Sequence, residues 1–153
     1  MSSRLFQNIR EKHGLCYSVA SFTASFRETG ALFVTTATNR ESDLSALKLI
    51  LEEAKALTES KVTSKERDLA IDQIRSEIIL ANESTSARMN RMGSSVLSIG
   101  HCLSLKELLD NYASVRCEDI LRLAQRYLTP GNLGFSAVGR LSSPENYQNV
   151  ISS

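Results

Sequence analysis

Apolar residues Leu5, Phe6 and Ile9 fall on one side of a helical turn and are followed by Lys12, His13 and Gly14. This pattern predicts a short helix over residues 2–13 with a glycine stop. The runs LCYSVASFTASF (15–26) and ALFVTTAT (31–38) are rich in β-branched and aromatic residues and are separated by a turn at Gly30, so they predict an antiparallel pair of strands. Both faces of these strands carry apolar residues, Leu15, Tyr17 and Val19 on one and Ala20, Phe22 and Phe26 on the other, which predicts a sheet covered at least partly on both sides. Leu44, Leu47, Ile50, Leu51, Ala54 and Leu57 then recur at the spacing of one buried stripe, predicting a helix over 43–60. Thr63 and Glu66 have capping-box spacing and open a third, long helix carrying Leu69, Ile71, Ile74, Ile78 and Leu80 and continuing toward Gly100.

Ser104 and Glu107 repeat that spacing ahead of Leu105, Leu108, Leu109 and Tyr112, predicting a fourth helix. Glu118 and Asp119 place acid at the positive end of a fifth, with Ile120, Leu123, Ala124 and Tyr127 expected inside. Pro130 and Gly131 end it, LGFSAV (133–138) predicts a final strand closed by Gly139, and the polar residues 142–153 are expected to be a loosely held tail. The order of helix, two strands, four helices and strand predicts an α+β fold, with helices packed on an antiparallel or mixed sheet.

The length of 153 residues suffices for one domain with one core. With 18 Lys and Arg against 17 Asp and Glu, the net charge of +1 creates no field that would argue for nucleic acid or an anionic membrane as partner. The basic residues Arg4, Arg10, Lys12, His13 and Arg27 are interrupted by Glu11 and Glu28 and fit no nucleic-acid module. No stretch approaches the roughly 20 apolar residues of a membrane span, and residues 1–10 lack the basic-then-apolar order of a signal peptide. Cys16, Cys102 and Cys117 are odd in number and widely spaced, which argues for small buried hydrophobes in a reducing, cytoplasmic setting and against a disulfide framework or thiolate zinc site.

Chemistry-bearing patterns are sparse. His13 and His101 stand in neither an H-E-x-x-H nor an H-x-x-E-H segment, and no carboxylates at helical spacing complete a metal site around them. Cys16 sits mid-strand with no histidine fixed beside it, and GSS at 93–95 lacks the Lys and second Gly of a phosphate loop.

One segment is specific. MSSRLFQ, IREK and GLCYSV stand in that order within residues 1–19, and this run resembles the C-terminal half-domain of the insulinase or pitrilysin-type zinc metallopeptidases, which include the mitochondrial processing peptidases and their bacterial relatives. The likeness continues more loosely through SKERDLAIDQIRSEI (64–78), CEDILRLAQRYLTPGNL (117–133) and AVGR (137–140). The resemblance implies a two-part active site. The N-terminal half supplies an H-x-x-E-H zinc site and its general base, and the C-terminal half supplies an Arg and a Tyr, seven residues apart, that hold the substrate peptide. Arg10 and Tyr17 have that spacing. In those roles Arg10 binds a substrate carbonyl through its forked donors, and the Tyr17 hydroxyl donates to the oxyanion developing on the scissile carbonyl, which makes Tyr17 the catalytic member of the pair. Without the resemblance, Arg10 reads as a cation near a helix C-terminus and Tyr17 as a half-buried strand aromatic.

Arg116 departs from the Thr common at that helix cap in relatives. Arg cannot accept the orphan N–H bonds, so the fifth helix is expected to start frayed or capped by another group. The chain opens at the Met of the family's glycine-rich run, which implies a half-domain lacking its first strand and helix. Residues 1–141 are then the zinc-free half-domain and 142–153 the tail. The resemblance further implies a chain inactive by itself, with no cofactor of its own, zinc in a partner domain or subunit, a peptide substrate and an oligomeric assembly. The alternative reading is a non-catalytic structural or assembly subunit of the same family.

Overall fold

The computed structural model describes residues 3–26 and 28–152, so Met1 and Ser2 of the first motif, the basic residue Arg27 and the terminal Ser153 lie outside the described residues. Two units take the place of the single expected core: one comprises Met1–Ala24, Gly30–Ser60 and Leu121–Ser153, the other Ser25–Thr29 and Lys61–Ile120.

The first unit is organised around Ile9, Cys16 and Ala46, which are buried together with Leu5, Leu15, Val19, Leu49 and Ile50 packed against them. Ile9 comes from a seven-residue π-helix, Phe6–Lys12. Cys16 opens strand β1 (Cys16–Ser25), which pairs with β2 (Gly30–Thr38) as a hairpin. Ala46 comes from helix α1 (Asp43–Glu59), which also buries Leu47 and packs against the π-helix and β2. The sheet differs from expectation in two ways. Beyond Cys16, Val19 and Ala24, the β1 positions are exposed, as is nearly all of β2, so the apolar residues on both strand faces are not covered by the described residues. A two-stranded ribbon touched by helices near one end offers too little shared surface to bury both faces. Residues 133–138 form no strand either. They lack a ladder partner, and Phe135 instead lies against Tyr147 with ring centroids 5.1 Å apart, which fixes the segment by side-chain contact.

The polar tail is ordered rather than loose. Pro144 at the first helical position, where its missing N–H costs nothing, opens helix α6 (Pro144–Ser152), which packs on α1 and buries Tyr147. Tyr147 Oη donates to Asp43 Oδ2 and accepts from the Ser142 N–H at 3.1 Å, while Ser142 Oγ donates to the same carboxylate at 3.4 Å.

The second unit holds α2 (Ser64–Ala81), α3 (Thr85–Ile99) and α4 (Leu105–Ala113), none of which has a buried residue. Their ends are well made. Thr63 Oγ1 accepts from the Glu66 N–H at 3.2 Å, Ser84 Oγ from Ala87 at 3.3 Å, and Gly100, with φ of 81°, closes α3. The long third helix of the sequence reading is thus two helices, because Ser84 offers its hydroxyl to a new helix start after the turn-forming Asn82–Glu83. Ser104 and Glu107 form a complete capping box, Glu107 N–H to Ser104 Oγ at 3.2 Å and Ser104 N–H to Glu107 Oε2 at 2.8 Å.

Helix α5 (Cys117–Tyr127) begins where Arg116 stands, and its start is capped from the other side: Asp119 Oδ2 accepts from the Arg116 N–H at 3.1 Å and from its Nε at 3.3 Å. Of the four α5 residues expected inside, Ala124 is buried, Ile120 is half-buried, and Leu123 and Tyr127 are exposed. Among the cysteines, Cys16 is buried as expected, Cys117 is half-buried and Cys102, in the loop after Gly100, is exposed.

Candidate functional site

Arg10 and Tyr17 owe their placement to their chain neighbours. Ile9 is fully buried and Cys16 is buried in the same cluster, so the residue after each is carried to the surface beside that core. Strand alternation turns Tyr17 outward when Cys16 turns in. The connection between them is a glycine stop with wide spacing: the Leu15 N–H donates to the Ile9 carbonyl at 3.0 Å and the Gly14 N–H to the Arg10 carbonyl at 3.1 Å. These bonds span six and four residues, each one more than the corresponding bond of the glycine stop that ends an α-helix. Gly14 has φ of 62° and open space where a Cβ would stand, so glycine is needed there for its backbone conformation and not for room.

The turn brings the two side chains together. Arg10 Cζ lies 5.9 Å from the centroid of the Tyr17 ring and 4.9 Å from that of Phe6, inside the range of cation–π attraction. Tyr17 is 84% exposed, so its hydroxyl faces water and the half-buried aromatic reading does not hold. The sequence takes Phe6 for an apolar helix position alone, although it precedes Arg10 by four residues on one helix, the spacing at which side chains meet.

Two shallow depressions flank this corner. One, of about 400 Å³, is lined by Gly14 to Tyr17 and by Ala37, Thr38 and Asn39. The other, of about 450 Å³, lies between the π-helix and α1 and includes Arg4, Lys12 and Glu53. Across it Asn8 Nδ2 donates to Glu53 Oε1 at 2.7 Å, while His13 Nδ1 donates to the Asn8 carbonyl at 2.7 Å. His101 Nδ1 donates to the Ile99 carbonyl at 3.1 Å. Among the described residues no three His, Cys, Asp or Glu are grouped to hold a metal ion, so these residues do not offer the donor set that zinc needs. No helix of the described residues is long and apolar enough to cross a membrane.

Residues 1–74 match the Peptidase M16 inactive domain. The chain is 40% identical over 129 residues to an uncharacterized zinc protease of Streptomyces coelicolor, an alignment covering 84% of this chain and 28% of that protein. It is 33% identical over 129 residues to an uncharacterized zinc protease of Bacillus subtilis, covering 84% of this chain and 32% of that protein. The chain therefore spans about a third or less of the length of these curated relatives. Its fold is similar to that of a chain in Complex III2 from Candida albicans, with TM-score 0.71 and 19% identity over 82% of this chain and 30% of that one. It is also similar to a conserved protein from Enterococcus faecalis V583, with TM-score 0.69 and 23% identity over 81% of this chain and 29% of that one.

Proposed function

The chain belongs to the insulinase or pitrilysin-type zinc metallopeptidase family, as a C-terminal-type domain in which no metal-holding group stands among the described residues, and from that premise we propose that it holds the substrate peptide through Arg10 and Tyr17 in an active site whose zinc is carried by another domain or subunit. The observation that carries this reading is the Arg10–Tyr17 pair itself, an exposed phenol and a guanidinium 5.9 Å from its ring, anchored through Ile9 and Cys16 to one core. An exposed Tyr held at a fixed turn contributes little to packing, and its hydroxyl is available to donate.

In the proposed assembly the Arg10 fork binds a carbonyl of the extended substrate, which fixes the register of the peptide. The Tyr17 O–H donates to the scissile carbonyl oxygen and strengthens its bond as negative charge grows there, so its contribution falls on the transition state. Activation of the attacking water belongs to the partner, and the chain alone is proposed to be inactive.

The test is cleavage of an unstructured peptide by the chain assembled with a zinc-bearing half-domain or subunit of its family. Tyr17→Phe should lower kcat on the order of 10²-fold with the thermal melt unchanged, as for loss of one oxyanion donor. Arg10→Gln should raise KM about tenfold, as for loss of a charge-assisted hydrogen bond. Wild-type kinetics in both variants, with the assembly intact, would leave the chain a structural subunit.

A further inference from the structure

We infer that Phe6 is a positioning residue, whose ring orients the Arg10 guanidinium for the substrate while leaving its donors unspent. The inference rests on the reading of Arg10 and Tyr17 given above and adds a residue which that reading did not contain.

Among the described residues no carboxylate pairs with Arg10; its side-chain neighbours are the Phe6 ring at 4.9 Å and the Tyr17 ring at 5.9 Å. The difference in chemistry matters. A carboxylate would orient the guanidinium by accepting from its N–H groups, and those groups would then be lost to a ligand. An aromatic face attracts the cation through its quadrupole and leaves the N–H groups at the rim free to donate. An exposed arginine otherwise samples many rotamers, and a ligand that needs one of them must overcome that freedom. Phe6 is suited to the task because it is half-buried on the π-helix, one turn before Arg10, so its ring is itself restrained. Tyr17 alone is a poorer support, since its ring lies farther away and is mostly in water.

The experiment has two readouts. On the chain by itself, nuclear magnetic resonance should find the Arg10 δ and ε protons shifted upfield by the ring currents of Phe6 and Tyr17. Phe6→Leu and Phe6→Met should each move them most of the way back, and Phe6→Tyr should keep them. The Ile9 methyl resonances report whether each variant keeps the native core, and the Met variant serves if the Leu variant does not fold. In the assembly with a zinc-bearing partner, Phe6→Leu should raise KM about fivefold with kcat unchanged, and Phe6→Tyr should restore it. Unmoved Arg10 protons in the folded Leu or Met variant would overturn the inference. The two possible failures also separate. Wild-type KM in Arg10→Gln overturns the reading of the pair and this inference with it, whereas a raised KM in Arg10→Gln beside a wild-type KM in Phe6→Leu overturns the inference alone.

Discussion

Among the described residues, Ile9, Cys16, Ala46, Leu47, Ala124 and Tyr147 are buried in the first unit, whereas in the second the buried apolar side chain is Val62 and helices α2, α3 and α4 bury none. Yet the second unit has the better helix ends, with side-chain caps at Thr63, Ser84 and Ser104, while α1 starts at Ser42 with no side-chain cap bond. The two regions thus draw on different terms. A cap stabilises a helix by about 1 kcal/mol wherever that helix sits. Full burial of an Ile side chain contributes about 1.5–3 kcal/mol, but only if other elements close over it. Arg10 and Tyr17, the pair proposed to hold the substrate, lie on the region held by burial, where displacement of one element disturbs several others.

The comparison is broken most directly at Ile9. Ile9→Ala should destabilise the first unit by about 2–5 kcal/mol, from lost transfer energy plus the cavity left among Cys16, Ala46 and their neighbours. Val62→Ala in the second unit should cost about 1.5 kcal/mol. Amide hydrogen exchange resolves the two. Protection in β1 and α1 should collapse in the Ile9 variant, and protection in α2 should fall less in the Val62 variant. Equal losses would mean that the second unit owns a core as strong as the first.

A smaller effect tests how α6 is held. Burial of the Asp43 carboxyl raises its pKa, but hydrogen bonds from Tyr147, from the Leu44 N–H and from Ser142 outweigh that and leave it below the ordinary value of 3.8. A carboxyl whose folded pKa is depressed contributes stability that is fully present above the unfolded value and is lost as pH falls through the folded one. The α6 attachment should therefore hold at neutral pH and weaken below about pH 4, once Asp43 takes a proton. Tyr147→Phe should cost about 1 kcal/mol at pH 7 and flatten this acid dependence. Urea midpoints measured between pH 3 and 7 check it, and an unchanged slope in the Phe variant would sever Tyr147 from the titration.

What could be read from the sequence follows the same division. Helix starts at Thr63 and Ser104 were legible because a hydroxyl and a backbone N–H three residues on need nothing else to meet. The meeting of Arg10 with Tyr17 was legible for a similar reason, since one glycine turn joins the helix to the strand. Features that depend on distant partners were not. LGFSAV has strand composition but no ladder, the apolar faces of β1 and β2 have the composition of a covered sheet, and the tail is fixed by Asp43, about a hundred positions earlier. Phe6 was missed through its apolar character: it reads as core at a position where its ring also meets a guanidinium.

The smallest effect sharpens the other side of the comparison. The Ser104 hydroxyl accepts the Glu107 N–H while the Glu107 carboxylate accepts the Ser104 N–H, so the box ties both ends of the first turn of α4. Hydrogen bonds from the Ser104 hydroxyl and N–H hold the Glu107 carboxyl below its ordinary range, and that contribution is present at neutral pH and lost as pH falls through the lowered value. Ser104→Ala removes what the hydroxyl contributes, leaves the Ser104 N–H bond to Glu107 in place, and should destabilise α4 by about 1 kcal/mol. With no buried residue on α4 to retain the first turn, the loss should appear as fraying confined to Leu105–Leu108, read as faster amide exchange there and native rates in α1. Native exchange throughout α4 in the Ala variant would show that the second unit is held by side-chain packing after all, and the contrast between burial and capping would no longer separate the two regions.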